Sequence, residues 1–152
     1  MDFNHCMLDL AMGQPPNIDI FDRCVGIFFA KLYENFPTRI DIRFANVPEN
    51  LFDETDAIGQ VTHKFEIYEH TVKWLCDADY AWAHHVDVRG AEGIVLSPKG
   101  LDVLRAKPRS LLQRKPIGEL IVEAVKGGAK EALKKAVGFA LVKGAEIAAG
   151  KI

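Results

Sequence analysis

Apolar residues recur at intervals of three and four along two long stretches of the chain, and this spacing predicts two amphipathic helices. The first begins with an N-cap at Asp19 and ends at about Asn35, because Pro37 cannot continue a helix. The second extends from about residue 61 to residue 78. Its apolar stripe consists of Val61, Phe65, Tyr68, Val72 and Leu75. In each helix the spacing of the apolar residues determines which face is buried.

A period of two marks the predicted strands. Residues 39–44 alternate polar and apolar side chains, as a half-buried strand does. Residues 80–96 contain two runs of this kind around the glycine-containing segment 89–93, which predicts a hairpin with a flexible tip. A short helix is expected within residues 51–60. Residues 1–18 include two adjacent prolines and are predicted to form a loose arm.

The last third of the chain is predicted to be helical in two pieces that are interrupted at Gly127 and Gly128. In the second piece a small residue occupies every fourth position and forms a ridge with little side-chain bulk. The ridge consists of Ala132, Ala136, Ala140, Gly144 and Ala148. Small side chains let another backbone approach closely. We therefore predict a protein interface on this helix, with a second copy of the chain or with another protein.

The predicted interface combines the ridge with its apolar neighbours, which gain free energy on burial. Its residues are Ala132, Leu133, Ala136, Val137, Ala140, Leu141, Gly144 and Ala148. Packing of the same face on the chain's own core is one alternative. Binding to a membrane surface is another, since several lysines flank the apolar residues, but Glu131, Glu146 and the absence of tryptophan oppose it.

The end of the second helix and the segments after it carry a recognisable pattern. Leu75 and Tyr80 flank the corner, the hairpin follows, and the run Leu96-Ser97-Pro98-Lys99-Gly100-Leu101 leads into a short helix with its serine as N-cap. In this pattern residues 19–107 resemble winged-helix domains. One position departs from the pattern, because Asp79 stands where a glycine is common; aspartate tolerates a left-handed backbone better than most residues.

The resemblance implies a mainly helical α+β fold with a small β-wing. At 152 residues the chain has the length of one domain with a single core. An arm spans residues 1–18 and the winged-helix domain residues 19–107. A basic connector and a C-terminal helical extension, which forms the interface, occupy residues 108–152.

The formal net charge of −2 is the sum of two unlike parts. Residues 1–100 contain 8 Lys/Arg and 16 Asp/Glu, which gives −8, whereas residues 101–152 contain 11 and 5, which gives +6. Either the two parts attract each other, within one chain or across a dimer, or the basic part binds phosphate. The predicted recognition helix (62–78) and wing (83–94) each carry −1, so DNA binding there is disfavoured for lack of counterion release.

A DNA-binding transcriptional regulator is the alternative function. The recognition helix would enter the major groove and the wing would contact the backbone. The predicted DNA contacts are Lys64, His70, Lys73 and Arg89, with Arg105, Lys107 and Arg109 on phosphates.

Candidate catalytic and metal-binding groups are sparse. His85 and Asp87 share one strand face, but no third ligand follows them in the spacing of a metal site. Glu66 and His70 form an i, i+4 pair without the spacing of an HExxH site. No phosphate-binding glycine motif occurs. We therefore expect a non-enzymatic protein without metal or cofactor.

Cysteine usage and the first residues indicate the compartment. The three cysteines form no CxxC pair and cannot all pair with one another, so neither a disulfide framework nor a zinc site is expected. Cys24 and Cys76 fit apolar packing better than a nucleophilic role. No run approaches the ~20 apolar residues that span a bilayer, and the start lacks the pattern of a secretion signal. We expect a cytoplasmic protein.

Overall fold

The computed structural model describes residues 16–109 and 115–150. Its helices and strands are, in chain order, α1 Pro16–Asn35, β1 Ile40–Arg43, α2 Ile58–Asp77, β2 Ala81–Trp82, β3 His85–Asp87, β4 Gly90–Leu96, α3 Pro98–Arg105, α4 Ile117–Gly127 and α5 Lys130–Ala148. Two single-turn 3-10 helices, Phe44–Asn46 and Glu49–Leu51, lie between β1 and α2. The predicted mainly helical α+β fold is confirmed. Among the described helices, none has both the length and the apolar composition needed to cross a membrane.

Helix α1 begins earlier than predicted. Pro16 opens it, because a proline in the first turn removes only an amide that has no partner within the helix. Asp19 therefore lies inside the first turn and is not the N-cap; its carboxylate is favourable there because it faces the positive end of the helix dipole. Residues 16–18 belong to α1, and the rest of the predicted arm lies outside the described residues. The predicted end at Asn35 is confirmed.

The sheet is built around β4, which pairs antiparallel with β1 along one edge and with β2 and β3 along the other. The hairpin predicted in residues 80–96 is confirmed, as is the strand predicted before α2. The hairpin tip lies at Val88 and Arg89 instead of residues 89–93. The cause is Asp87, whose carboxylate accepts a hydrogen bond from the Arg89 amide at 2.8 Å and closes a two-residue turn.

The segment before α2 forms a turn and a cap. The short helix predicted within residues 51–60 is wrong: the 3-10 turn Glu49–Leu51 precedes an irregular stretch, and α2 starts at Ile58. The Gln60 side chain accepts a hydrogen bond from the Ala57 amide at 2.8 Å. This contact satisfies one of the amides that a helix start leaves without a partner, so the polar residues here define where α2 begins.

The corner after α2 has the predicted geometry. Asp79 adopts a left-handed φ of 64°, and Leu75 and Tyr80 are buried. The Ser97 hydroxyl caps α3 by accepting a hydrogen bond from the Gly100 amide at 3.0 Å, and it donates to the Asp79 carbonyl oxygen at 2.5 Å. One serine therefore joins the corner, the end of β4 and the start of α3.

One hydrophobic core runs through the described residues on both sides of residue 107. Helices α4 and α5 pack on α1, and α5 also contacts α3. The core residues of the two C-terminal helices are Ile117, Ile121, Ala124, Leu133, Ala136, Val137 and Ala140. The single core predicted from the chain length therefore extends across residue 107 in the described residues. The predicted interruption is confirmed at Gly128, whose φ of 65° ends α4.

Ion pairs connect the acidic and basic parts of the chain. The pairs are Lys126–Glu34 at 2.8 Å, Lys134–Asp19 at 2.9 Å and Lys130–Asp53 at 3.1 Å. Each joins a lysine of α4 or α5 to a carboxylate from the first hundred residues. The interpretation that the two parts attract each other is therefore confirmed, within one chain.

Candidate interaction surfaces

The middle of the small-residue ridge of α5 faces the interior of its own chain. The buried members of the predicted interface are Leu133, Ala136, Val137, Ala140 and Gly144, and Leu141 is partly buried. The prediction that these residues meet a second copy or another protein is therefore corrected. Small side chains do allow a close approach at this face, but the elements that approach belong to the same chain.

Two glycines show how close this packing is. A Cβ atom on Gly144 would overlap the hydroxyl of Tyr80, the buried aromatic residue of the corner. A Cβ atom on Gly26 of α1 would overlap the side chain of Leu133. The absence of a side chain at both positions lets α5 lie directly against the corner and α1.

The two ends of the ridge turn away from the core. Ala132 and Ala148 are exposed, whereas the middle of the ridge is buried. Each step of four residues rotates about 40° around a helix with 3.6 residues per turn. From Ala132 to Ala148 the ridge therefore turns by about 160°. A ridge that turns this far cannot face one partner along its whole length.

The opposite side of α5 carries a second row of residues that is open to solvent. This row, termed the outer row, consists of Ala132, Lys135, Phe139, Val142 and Glu146 of α5 and of its C-cap residue Ala149. Val142 is 61% exposed and Phe139 is partly exposed. Two open grooves of about 300 Å³ and about 400 Å³ adjoin the row, and both are lined by Phe139. The sequence signal for this surface is an apolar pair in the middle of an otherwise polar helix face.

Lys64, the first predicted DNA contact, is buried. Its Nζ donates hydrogen bonds to the carboxylates of Asp56 at 2.7 Å and Asp53 at 3.2 Å, and to the carbonyl oxygen of Leu51 at 3.0 Å. The hydrogen bond from Lys64 holds the pKa of Asp56 below its usual range, and Lys130 with Lys64 does the same for the pKa of Asp53. The prediction for Lys64 is wrong: it is an internal cation that holds the preceding loop on α2.

The other predicted DNA contacts are exposed. They are His70, Lys73, Arg89, Arg105, Lys107 and Arg109. With Lys64 internal, the charged side chains on the outer side of α2 are Glu66, Glu69, Lys73 and Asp77. One positive and three negative charges give −2, which is more acidic than the predicted −1. This side of α2 therefore repels a phosphate backbone.

The β3–β4 hairpin holds a small cluster of polar side chains around one carboxylate. Asp87 Oδ2 lies 3.2 Å from His85 Nε2 and 3.4 Å from Arg89 Nη2. The Arg89 amide, followed by its guanidinium, lowers the pKa of Asp87. The Asp87 carboxylate of the same turn therefore partly neutralises the positive charge of Arg89. Within residues 16–109 and 115–150, no three His, Cys, Asp or Glu side chains are grouped so that they could hold a metal ion.

An apolar groove of about 380 Å³ lies between the start of α1 and the outer side of α2. Trp74 lines it, is 43% exposed, and contacts Phe21 edge to face with ring centres 5.2 Å apart. Ile18 lines the same groove. Sequence reasoning assigned no role to Trp74; the signal that could have found it is a tryptophan on the polar side of an amphipathic helix.

The cysteines of the described segments keep their protons. Burial raises the pKa of Cys24 to about 12, and burial together with nearby Asp77 raises the pKa of Cys76. A protonated thiol is a poor nucleophile, which agrees with the packing role predicted for both. Cys6 lies outside the described residues.

No protein-family model, no curated protein and no solved structure matches this chain.

Proposed function

We propose that this chain is a non-catalytic, winged-helix-type module that acts through protein association, and that its partner is a second copy of itself. The order of the elements supports the first part of the proposal. Helix α1, strand β1, helix α2 and the β3–β4 hairpin follow one another, and β1 pairs with β4. In a winged-helix arrangement α2 would be the recognition helix and the β3–β4 hairpin the wing, and the 3-10 turn Glu49–Leu51 stands where a helix-turn-helix has its first helix.

The observation that carries the association proposal is the apolar centre of the outer row of α5. Val142 is 61% exposed, and Phe139 beside it opens onto two grooves. Exposed apolar side chains beside open grooves form a candidate protein contact surface. We therefore propose that the homodimer forms through the C-terminal helix, with the outer row instead of the ridge as its contact surface.

DNA binding is the second candidate function, because Arg105, Lys107 and Arg109 are exposed next to one another along the chain. It has less support than self-association. Lys64 is neutralised by two carboxylates, and the outer side of α2, which would lie in the major groove, is acidic. Both features reduce the counterion release on which DNA affinity depends.

Sedimentation velocity of the full chain tests self-association. We expect the weight-average sedimentation coefficient to rise with concentration from the monomer value to the dimer value. A chain that stays monomeric up to roughly 1 mM has at most about 4 kcal/mol of association free energy and would overturn the proposal.

A gel-shift with random DNA duplex at low salt separates the two candidate functions. Self-association as the main activity predicts weak binding that changes little when Arg105 and Lys107 are both replaced by Glu. Tight binding that falls steeply with salt, and that these replacements abolish, would favour the DNA-binding function.

A further inference from the structure

The outer row has the spacing of a coiled-coil seam. Its members are separated alternately by three and four residues, and this average of 3.5 keeps a row on one side of a helix. Phe139 and Val142 stand in the middle, Lys135 and Glu146 flank them with opposite charges, and an alanine stands at each end. On either side of the point between Phe139 and Val142, the row therefore has the same order: an apolar residue, a charged residue and an alanine, with the two charges opposite in sign.

We infer that two copies of the chain pair their α5 helices antiparallel across this point, an inference that rests on the proposed self-association. A two-fold interface brings residue i of one copy against residue j of the other, and j against i. In the antiparallel register each layer joins one position from each half of the row. The layers are Phe139 with Val142, Lys135 with Glu146, and Ala132 with Ala149 of the second copy.

The charges of the row select the antiparallel orientation. Lys135 and Glu146 are both exposed, and neither forms an ion pair within the described segments. Antiparallel pairing gives each a partner of opposite sign, twice in the dimer. Parallel pairing in register would instead place Lys135 against Lys135 and Glu146 against Glu146, which is repulsive.

The surroundings of the row leave room for a second helix. A Cβ atom on Gly138, beside the row, would have nothing within 4 Å, so another backbone can approach α5 closely there. The grooves on either side of Phe139 are bounded by Leu120 and Glu123 of α4 and by residues 106–109, and both open to solvent. A lipid surface fits this row less well, because Glu146 would be repelled by anionic headgroups.

Charge reversal in the full chain tests the register. Lys135→Glu and Glu146→Lys each place like charges together in two layers, and each is expected to raise the dimer Kd about tenfold. The double variant Lys135→Glu/Glu146→Lys exchanges the two signs and is expected to return Kd to within about twofold of the wild-type value. Sedimentation equilibrium at low salt measures all four proteins.

Lys73→Glu on α2 is the matched control, because it changes the net charge by the same amount at an exposed site on another helix. It is expected to leave Kd unchanged, and circular dichroism checks that every variant is folded. If Lys73→Glu and Lys135→Glu weaken the dimer equally, or if the double variant is not restored, the register is overturned and self-association stands. A monomeric wild-type chain overturns both.

Discussion

The two faces of α5 use apolar residues in opposite ways. On the inner face Leu133 and Val137 are covered by other elements of the chain and belong to the hydrophobic core. On the outer face Val142 is mostly exposed. Lys135 and Glu146 flank Phe139 and Val142 in the row and form no ion pair in the described segments. One helix thus completes the core on one side and offers a surface on the other.

The two faces differ because their rows of residues rotate around the helix axis by different amounts. The small residues are spaced by four, so the ridge winds from solvent into the core and out again. The outer row alternates steps of three and four and stays on one side of the helix. A winding row is buried only in its middle, whereas a straight row can meet a straight partner along its whole length.

Shortening one apolar side chain on each face gives the largest expected contrast. Leu133→Ala should leave a cavity beneath Gly26 and lower the free energy of unfolding by about 3 kcal/mol. Val142→Ala should change it by less than about 0.5 kcal/mol, because that side chain is exposed in the monomer. Urea unfolding at a concentration where the chain is monomeric measures both. Equal losses would show that the two faces are equally buried.

Adding one methyl group on each face should give effects of opposite sign. In Gly144→Ala the new Cβ overlaps the Tyr80 hydroxyl, so we expect a loss of about 1–3 kcal/mol in unfolding free energy. In Gly138→Ala the Cβ enters open space, and the better helix propensity of alanine should add about 0.5–1 kcal/mol. Thermal or urea unfolding compares the two variants. Stabilisation by both would contradict close packing on the inner face.

The smallest expected difference is in how the free energy of unfolding depends on pH. Hydrogen bonds from Lys130 and Lys64 lower the pKa of Asp53 in the folded chain. Its stabilisation is therefore present above the unfolded carboxyl pKa of ~3.9 and is lost as pH falls through the lower folded value. Lys130→Met should flatten the fall in unfolding free energy below about pH 4.

Lys135→Met is the control for that experiment, because Lys135 is on the outer row and forms no ion pair in the described segments. It should leave the pH dependence of the unfolding free energy the same as in the wild-type chain. Urea unfolding between about pH 2 and pH 5 brackets the carboxyl titration. If both variants show the same slope, the lysine at the start of α5 does not stabilise the fold through Asp53.

Elements with strong local signals could be predicted from the sequence. Pro37 sets the end of α1, Ser97 caps α3, and the period of two locates the hairpin. The predictions that were wrong concern side chains whose surroundings are formed by residues from other elements of the fold. Asp19 lies inside α1 and pairs with Lys134 of α5, and Lys64 is buried because carboxylates from the preceding loop surround it.

The candidate interface was only partly predictable. Spacing and residue size indicate that something approaches the ridge of α5 closely, but they do not identify which chain it comes from. Tyr80 contacts Gly144 of the ridge and Gly26 contacts the neighbouring Leu133, because the tertiary fold places the corner and α1 beneath α5. No local pattern encodes that arrangement. The outer row was accessible to sequence reasoning, since Phe139 and Val142 form a three-four pattern with the charges around them.

The contact between Gly26 and Leu133 also bears on how the chain is made. It joins the first described helix to the last, so the apolar side of α1 leaves the ribosome well before the helix that covers it exists. The face of α1 at Gly26 can be covered only after translation has passed Leu133 of α5. Until then this apolar face of α1 is exposed on the nascent polypeptide, where chaperones can bind it.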